Sequence, residues 1–377
     1  MNLELTAEQR AARAEFRAFV ASEIAPHADR WDREEAIPAA LVDELRRRRL
    51  LGSNVPEEYG GLGRDMITYG LLTEEIAKGC SSVRSLLTVH DMVAHAIHRW
   101  GSREQRERWL PLMARGEVLG ALGLSEPNAG SDAKSVETVA RDDGDAWVLD
   151  GRKKWTTFGQ IAGLYLVLAQ QDGKLTAFLV ERDSPGVTVQ PLKGVWGTRA
   201  SMLAEIVMDG CRLPKGNLIG RPGFGLSAVV STALEHGRYS VAWGSVGIAQ
   251  ACLEASQAYA RERRQYGVPI ADHQLVRRLL TDMIAGVRAA RLLCLRAGWM
   301  RETGDPLAGG EVMIAKYFAS TLATKSANDA VQIHGANGIT DGYPVGRYLR
   351  DSRVTEIIEG STQIQQINIP LFELQEF

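Results

Sequence analysis

The stretch "LGLSEPNAGSDAKS", Leu122 to Ser135, is where the chain changes texture. Before it, apolar residues recur at helical spacing; after it, short apolar or alternating runs are separated by Gly, Asp and Pro. Pro127 and the small residues give the segment an irregular backbone that exposes peptide N–H groups beside the Ser125 and Ser131 hydroxyls. Such a surface can hydrogen-bond the edge of a flat heterocycle.

Working outward, residues 1–118 read as a helical domain. Thr6 is placed to cap the first helix, with Gln9 three residues on as its capping-box partner, and the loop "VPEEYGGLGRD" interrupts the pattern before it resumes at Ile67. Residues 119–225 read as a β domain. There "VETVARDDGDAWVLDG" predicts two strands about an Asp-Gly turn, and "LYLVLAQ", "LTAFLVE", "VTVQPL" and "AEIVMDG" predict further short strands. Residues 226–377 return to helical spacing over Leu226–Arg264, His273–Glu302, Leu307–Gly335 and a last helix after Gly360. Four helices suggest a bundle. The expected class is α+β, with the three parts packed as one body.

Composition narrows the function. The chain has 377 residues, net charge -2 and no basic block beyond Arg46–Arg49, which suits the solvated last turn of a helix, so a nucleic-acid surface is not expected. Cys80, Cys211, Cys252 and Cys294 lie far apart without a CxxC pair, as expected of free thiols in a reducing compartment. No window approaches a membrane span and no signal-like core opens the chain, so a cytoplasmic location is expected. Neither GxGxxG, GxxxxGK[ST] nor GxSxG occurs. His95 and His98 have no third partner in the pattern, so no metal is expected.

Two further stretches carry chemistry. "KKWTTFG" offers Trp155 as an aromatic face, with Thr157 two residues on, the same side of a strand. In "VTEIIEGSTQIQQINI", Val354 to Ile369, Glu359 follows two isoleucines. A glutamate at a loop edge ordinarily faces water; a buried one has a raised pKa and can serve as a base.

Taken in order, "LSEPNAGSD", "KKWTTFG", "RERRQYGVPIADHQ", "VQIHGANGITDGYPVGRYLRDSRV" and "IIEGSTQIQQ" resemble the acyl-CoA dehydrogenase family over nearly the whole chain. The resemblance implies an N-terminal helical domain, a central β-barrel-like domain of two packed sheets and a C-terminal four-helix bundle, in a homodimer or homotetramer with one FAD per subunit. It implies that Leu122, Leu124, Ser125 and Ser131 meet the flavin edge, and that Trp155 and Thr157 lie against its other face. Arg263, Gln265, Tyr266, His273 and Gln274 would reach the cofactor of a neighbouring subunit, and the backbone at Gln332, Gly335 and Ala336 would approach the cofactor, with Ala336 replacing a usual glycine. Ser361 and Gln363 are implied as further FAD contacts, Ser131, Gly360 and Arg238 as substrate contacts, and Glu359 as the base that takes the α-proton of an acyl thioester while hydride leaves Cβ. Some members place the base near position 237, which is Gly237 here, with Glu235 close by.

In "CSSVRSLLTVHDMVAHAIHRWGS", Arg84, Thr88, Asp91 and His95 make one polar helical stripe, which on its own reads equally well as a solvated face. The order Arg-Ser-x-x-Thr is similar to glutaryl-CoA dehydrogenases. That likeness implies that Arg84 and Thr88 hold the distal carboxylate of a short acyl chain. The thioester carrier, coenzyme A or an acyl carrier protein, stays open, as does the electron acceptor, normally an electron-transfer flavoprotein in this family. An oxygen-using flavin oxidase or monooxygenase, and a non-catalytic binding protein, are the alternatives.

Overall fold

A computed structural model describes residues 4–373. Six helices come first: α1 (Ala7–Phe19), α2 (Ala28–Glu34), α3 (Ala39–Arg47), α4 (Met66–Gly79), α5 (Ser81–Trp100) and α6 (Arg103–Ala114). The Thr6 capping box forms as read: the Thr6 hydroxyl accepts from Gln9 N at 3.1 Å and the Gln9 side chain accepts from Thr6 N at 3.0 Å. Helices α4 and α5 are enclosed by the rest of the protein. Leu72 and Ile76 of α4 join the core of α1–α3, whereas Tyr69 and Leu71 join the core of the C-terminal helices. The polar stripe of α5 is therefore not a solvated face: Arg84, Thr88 and Asp91 are all buried.

The middle of the chain holds β1 (Gly120–Gly123), β2 (Val139–Asp142), β3 (Ala146–Thr156), β4 (Leu164–Gln171), β5 (Lys174–Glu181), β6 (Val187–Pro191), β7 (Ala204–Pro214) and β8 (Leu218–Ile219). The strand order is β6-β7-β3-β2-β4-β5-β8, with β1 added in parallel on β4. Its two halves meet through a single parallel pair, Val139 with Gln170. That hinge lets them fold face to face over one core, with Trp147 and Ile206 from one half against Phe178 and Val180 from the other. The result is barrel-like, made of two packed sheets.

Helix α7 (Ser231–Glu262) opens the last part; the short hairpin β9 (Arg264–Gln265) and β10 (Val268–Pro269) follows, then α8 (Gln274–Glu302), α9 (Ala308–His334), α10 (Val345–Ile357) and α11 (Thr362–Glu373). The pattern of long helical segments omits α10, yet α10 packs on both α7 and α9, and α11 covers α9 beside it. Helix α11 also runs through Pro370. Proline there removes one backbone donor on a solvent-facing turn, where Ile367 and Leu371 are exposed, so water can satisfy the freed carbonyl.

Helix α10 ties the three parts together. Arg347 Nε donates to Asp29 at 2.6 Å and Arg350 pairs with Asp32 at 2.5 Å, both on α2. Asp351 accepts from Thr198 N, in the loop before β7, at 2.6 Å. Among the described residues no helix is long and apolar enough to cross a membrane, and all four cysteines are buried and free.

Candidate active site

Between α10 and α11 the chain places two consecutive residues in the left-handed region, Glu359 at φ 55° and Gly360 at φ 84°. For a glutamate this costs about 1–3 kcal/mol unless its surroundings hold it there. They do: Arg238 Nε donates to the Glu359 carbonyl at 3.1 Å, and Gln365 Nε2 donates to the same oxygen at 3.1 Å and to the Gly360 carbonyl at 3.0 Å. Lys316 Nζ adds a bond to the Gly360 carbonyl at 2.8 Å.

This backbone aims the Glu359 carboxylate at α7, over Gly237. A β-carbon at position 237 would lie 2.7 Å from Glu359 Oε2 and 2.7 Å from Met92 Sδ, closer than atoms can approach. Glu359 Oε2 is buried without a hydrogen-bond partner. Burial lifts this carboxyl to about 7, against the opposing pull of Arg238, Lys316 and Arg84. Glu235 points elsewhere, to Arg301 Nε at 3.6 Å, and is partly exposed.

Beside this carboxylate, Arg84 is 1% exposed, yet it makes no ion pair among the described residues. Its hydrogen bonds run to Thr88 Oγ1 at 3.1 Å and Ser81 Oγ at 3.4 Å, and its Nε has no partner. Burial lowers it to about 10, still a cation at neutral pH. Thr88 Oγ1 meets Ser240 Oγ at 2.6 Å. One turn further along α5, burial raises Asp91 to about 8, against the opposing pull of the Tyr69 hydroxyl and the Gly52 backbone. A polar wall of this kind is costly unless a polar group arrives to complete it.

The segment after α6 splits. Leu122 lies in β1, in register with Leu166 of β4, and only the residues beyond Gly123 are irregular. Ser125 joins the "KKWTTFG" stretch, because its carbonyl accepts from Lys154 N at 2.8 Å. Underneath, a buried ion pair braces the loop: Lys153 Nζ lies 2.5 Å from Glu126 Oε1, which also accepts from Thr138 N at 3.0 Å and Thr138 Oγ1 at 2.6 Å. Trp155 stands 53% exposed at φ 64°, an unusual backbone for a bulky residue. Strand alternation does not carry Thr157, since β3 ends at Thr156 and its register with β7 shifts there. Ser131 and Gln363 are exposed, Leu124 is half-buried, and the Ser361 hydroxyl accepts from Ile364 N at 3.4 Å as a cap on α11.

A second group of expected cofactor residues lies apart from these. Gln332 is sixteen residues beyond Lys316 on α9, about 24 Å along the helix. Tyr266 and Gly267, at φ 52° and 79°, form the two-residue turn between β9 and β10 and leave the Tyr266 ring 95% exposed. Tyr266, with Gln265, His273, Arg278 and Gln332, lines a cleft of about 570 Å³. Arg263 and Gln274 are exposed and are not among the residues that line it. Gly335, at φ 58° and ψ −138°, presents open backbone, with no atom within 4 Å of where a β-carbon would be. Ala336 is exposed and needs no positive φ, so its methyl is accommodated.

The exposed indole of Trp155 beside a hydroxyl-bearing loop, and the open cleft bordered by the Tyr266 ring, are two surfaces that offer an aromatic face with polar groups beside it. Lys316, Gln365, Ser240, Glu126 and Lys153 escape motif reading. The one signal for Lys316 is a lone cation in "VMIAKYFAS". Among the described residues no cluster of three or more His, Cys, Asp or Glu is placed to hold a metal.

Family models match three consecutive parts of the chain: acyl-CoA dehydrogenase, N-terminal domain over residues 6–117, middle domain over 121–211 and C-terminal domain over 223–370. The probable acyl-CoA dehydrogenase YngJ of Bacillus subtilis is 40% identical over 376 residues, covering 98% of each chain. The glutaryl-CoA dehydrogenase of Desulfococcus multivorans is 37% identical, covering 99% of this chain and 98% of its own. Among solved structures, butyryl-CoA dehydrogenase from Megasphaera elsdenii superimposes with a TM-score of 0.96 at 33% identity, over 99% of this chain and 100% of that one.

Proposed function

We propose, since this chain belongs to the acyl-CoA dehydrogenase family of oxidoreductases acting on CH–CH bonds, that it desaturates a short acyl thioester whose far end carries a carboxylate. The observation that carries this is Glu359, a half-buried residue whose Oε2 is buried without a partner and whose carboxyl is lifted by burial to about 7. Family members are flavoproteins, and FAD, when bound, supplies the hydride acceptor. Leu122, Leu124, Ser125, Ser131, Trp155, Thr157, Ser361 and Gln363 would hold it from this subunit; Arg263, Gln265, Tyr266, His273, Gln274, Gln332, Gly335 and Ala336 would hold the cofactor of a neighbour, in a homodimer or homotetramer. The units 1–118, 119–225 and 226–377 serve as the three domains, and Glu359 lies where the last of them faces the others.

Glu359 accepts the α-proton. Its value near 7 leaves roughly half of it ionised at neutral pH, while burial keeps its basicity high against three nearby cations. Gly237 leaves the room in which that carboxylate stands, and the turn at Gly360 with the Arg238 side chain borders the same space. Arg84, with Thr88 beside it, is the counter-charge for the distal carboxylate: a desolvated guanidinium without an anion gains most when one arrives. The geometry supports one base, Glu359, and not Glu235, which Arg301 engages.

The test is anaerobic mixing of the purified protein with a panel of thioesters, simple and dicarboxylyl, on coenzyme A and on acyl carrier protein. Flavin bleaching confined to one carrier and one chain type identifies both. Bleaching by none refutes the reading. Oxygen uptake during turnover without another acceptor would assign the protein to an oxidase instead.

A further inference from the structure

We propose that Lys316 is a positioning residue for the base, clamping the Glu359–Gly360 turn through the Gly360 carbonyl and holding a positive charge toward the Glu359 carboxylate. The inference rests on Glu359 being the base. Its own observations are independent of the family motifs. Lys316 lies mid-helix on α9, is 0% exposed, and among the described residues makes one hydrogen bond, the 2.8 Å bond to Gly360 O. A buried ammonium with one neutral acceptor is unstable as a charge unless an anion faces it. The groups that face it are Glu359, Arg238 on α7 and Glu356 on α10, so the main compensating anion is the base itself.

The dependence runs both ways. Burial draws Lys316 down to about 8 and lifts Glu359 to about 7, each opposed by the charge of the other. Around Glu359 the cations come from three helices: Arg238 on α7, Lys316 on α9 and Arg84 on α5. Arg84 is reserved for substrate and Arg238 also grips the Glu359 carbonyl. Lys316 is the cation that faces the carboxylate while bonding only the residue after it. It therefore keeps the base ionised near neutral pH, and it holds the left-handed pair that directs the carboxylate over Gly237.

The variants are Lys316→Met, which removes charge and donor, Lys316→Gln, which keeps a donor alone, and Lys316→Arg, which keeps the charge. The pH dependence of thioester-driven bleaching is measured on each flavin-loaded protein. The pH dependence of the Glu359 carboxyl stretch, assigned by infrared difference against Glu359→Gln, is measured without substrate. Loss of the cation disfavours the carboxylate, so in Lys316→Met and Lys316→Gln both midpoints move alkaline by about one pH unit, slowing bleaching about tenfold at pH 6. Lys316→Arg keeps the wild-type midpoint with a lower limiting rate. A purely structural lysine would lower the melting temperature and leave both midpoints in place; that result, in whichever uncharged variant folds, overturns the proposal. Should Glu359→Gln bleach at the wild-type rate, the base assignment fails instead, and the infrared midpoints still decide whether Lys316 governs this carboxyl.

Discussion

Glu359 fills the space that a side chain at Gly237 would need, since a β-carbon there would lie 2.7 Å from Oε2. The two positions are 122 residues apart, and only one can carry a side chain into this space. Gly237→Ala must push the carboxylate aside or displace Met92. We expect bleaching by the best thioester to slow about a hundredfold, as misplacement of a reacting group by about 1 Å does, with flavin content unchanged. Wild-type rates in Gly237→Ala would mean that Glu359 does not work from this position.

Removing the proposed base should be more severe. Glu359→Gln keeps the shape and the clamped turn, so FAD should remain bound while bleaching falls by a factor of about 10² to 10⁴, the usual contribution of a general base. Stopped-flow spectra of the flavin decide it. In the unaltered protein the bleaching rate should rise with pH through about 7, because only the carboxylate form accepts a proton.

The same residue leaves a mark on stability. Its folded value of about 7 lies above the ordinary 4.5, so between those values the native state holds a proton that the unfolded chain has released. Stability from this group is therefore present at low pH and lost as pH rises through that window. Glu359→Gln removes the loss, and should stabilise the protein at pH 8 by up to about 3 kcal/mol with little effect at pH 4. Denaturant unfolding at the two pH values checks it; equal effects would mean the carboxyl is not desolvated.

Arg84→Ala should cost dicarboxylyl thioesters about a hundredfold or more in kcat/KM, as loss of a buried charge-assisted contact does, and simple acyl thioesters under about threefold. Equal losses on both would show that Arg84 serves the fold and not the chain end.

Lys153→Met strands the Glu126 carboxylate, buried beneath the Leu122–Ser135 loop, without its cation. Breaking a buried pair in this way costs about 3–5 kcal/mol. We expect a lower melting temperature and faster loss of flavin on dilution. An unchanged flavin affinity would separate this ion pair from the cofactor loop.

Much of this was legible along the chain. The shift from helical to strand periodicity about "LGLSEPNAGSDAKS" placed the change of architecture correctly, because side-chain periodicity follows directly from backbone geometry. The Thr6 cap and the Asp-Gly turn before β3 are local devices and formed as read. Helix α10 escaped because its short, charged sequence has a weak apolar stripe; what holds it is a set of ion pairs to α2, more than 300 residues away.

The order of motifs, the candidate base and the stripe headed by Arg84 were thus determined by sequence alone, since each is a matter of residue type and spacing. Whether the Glu359 carboxylate faces water or the interior, and whether Arg84 is solvated or buried, was decided only by the tertiary structure. Burial is a property of what covers a residue. For Glu359 the cover comes from α7 and α9, distant in sequence, which bring Gly237 and Lys316 to this turn, while Gln365 of the adjoining α11 holds its backbone.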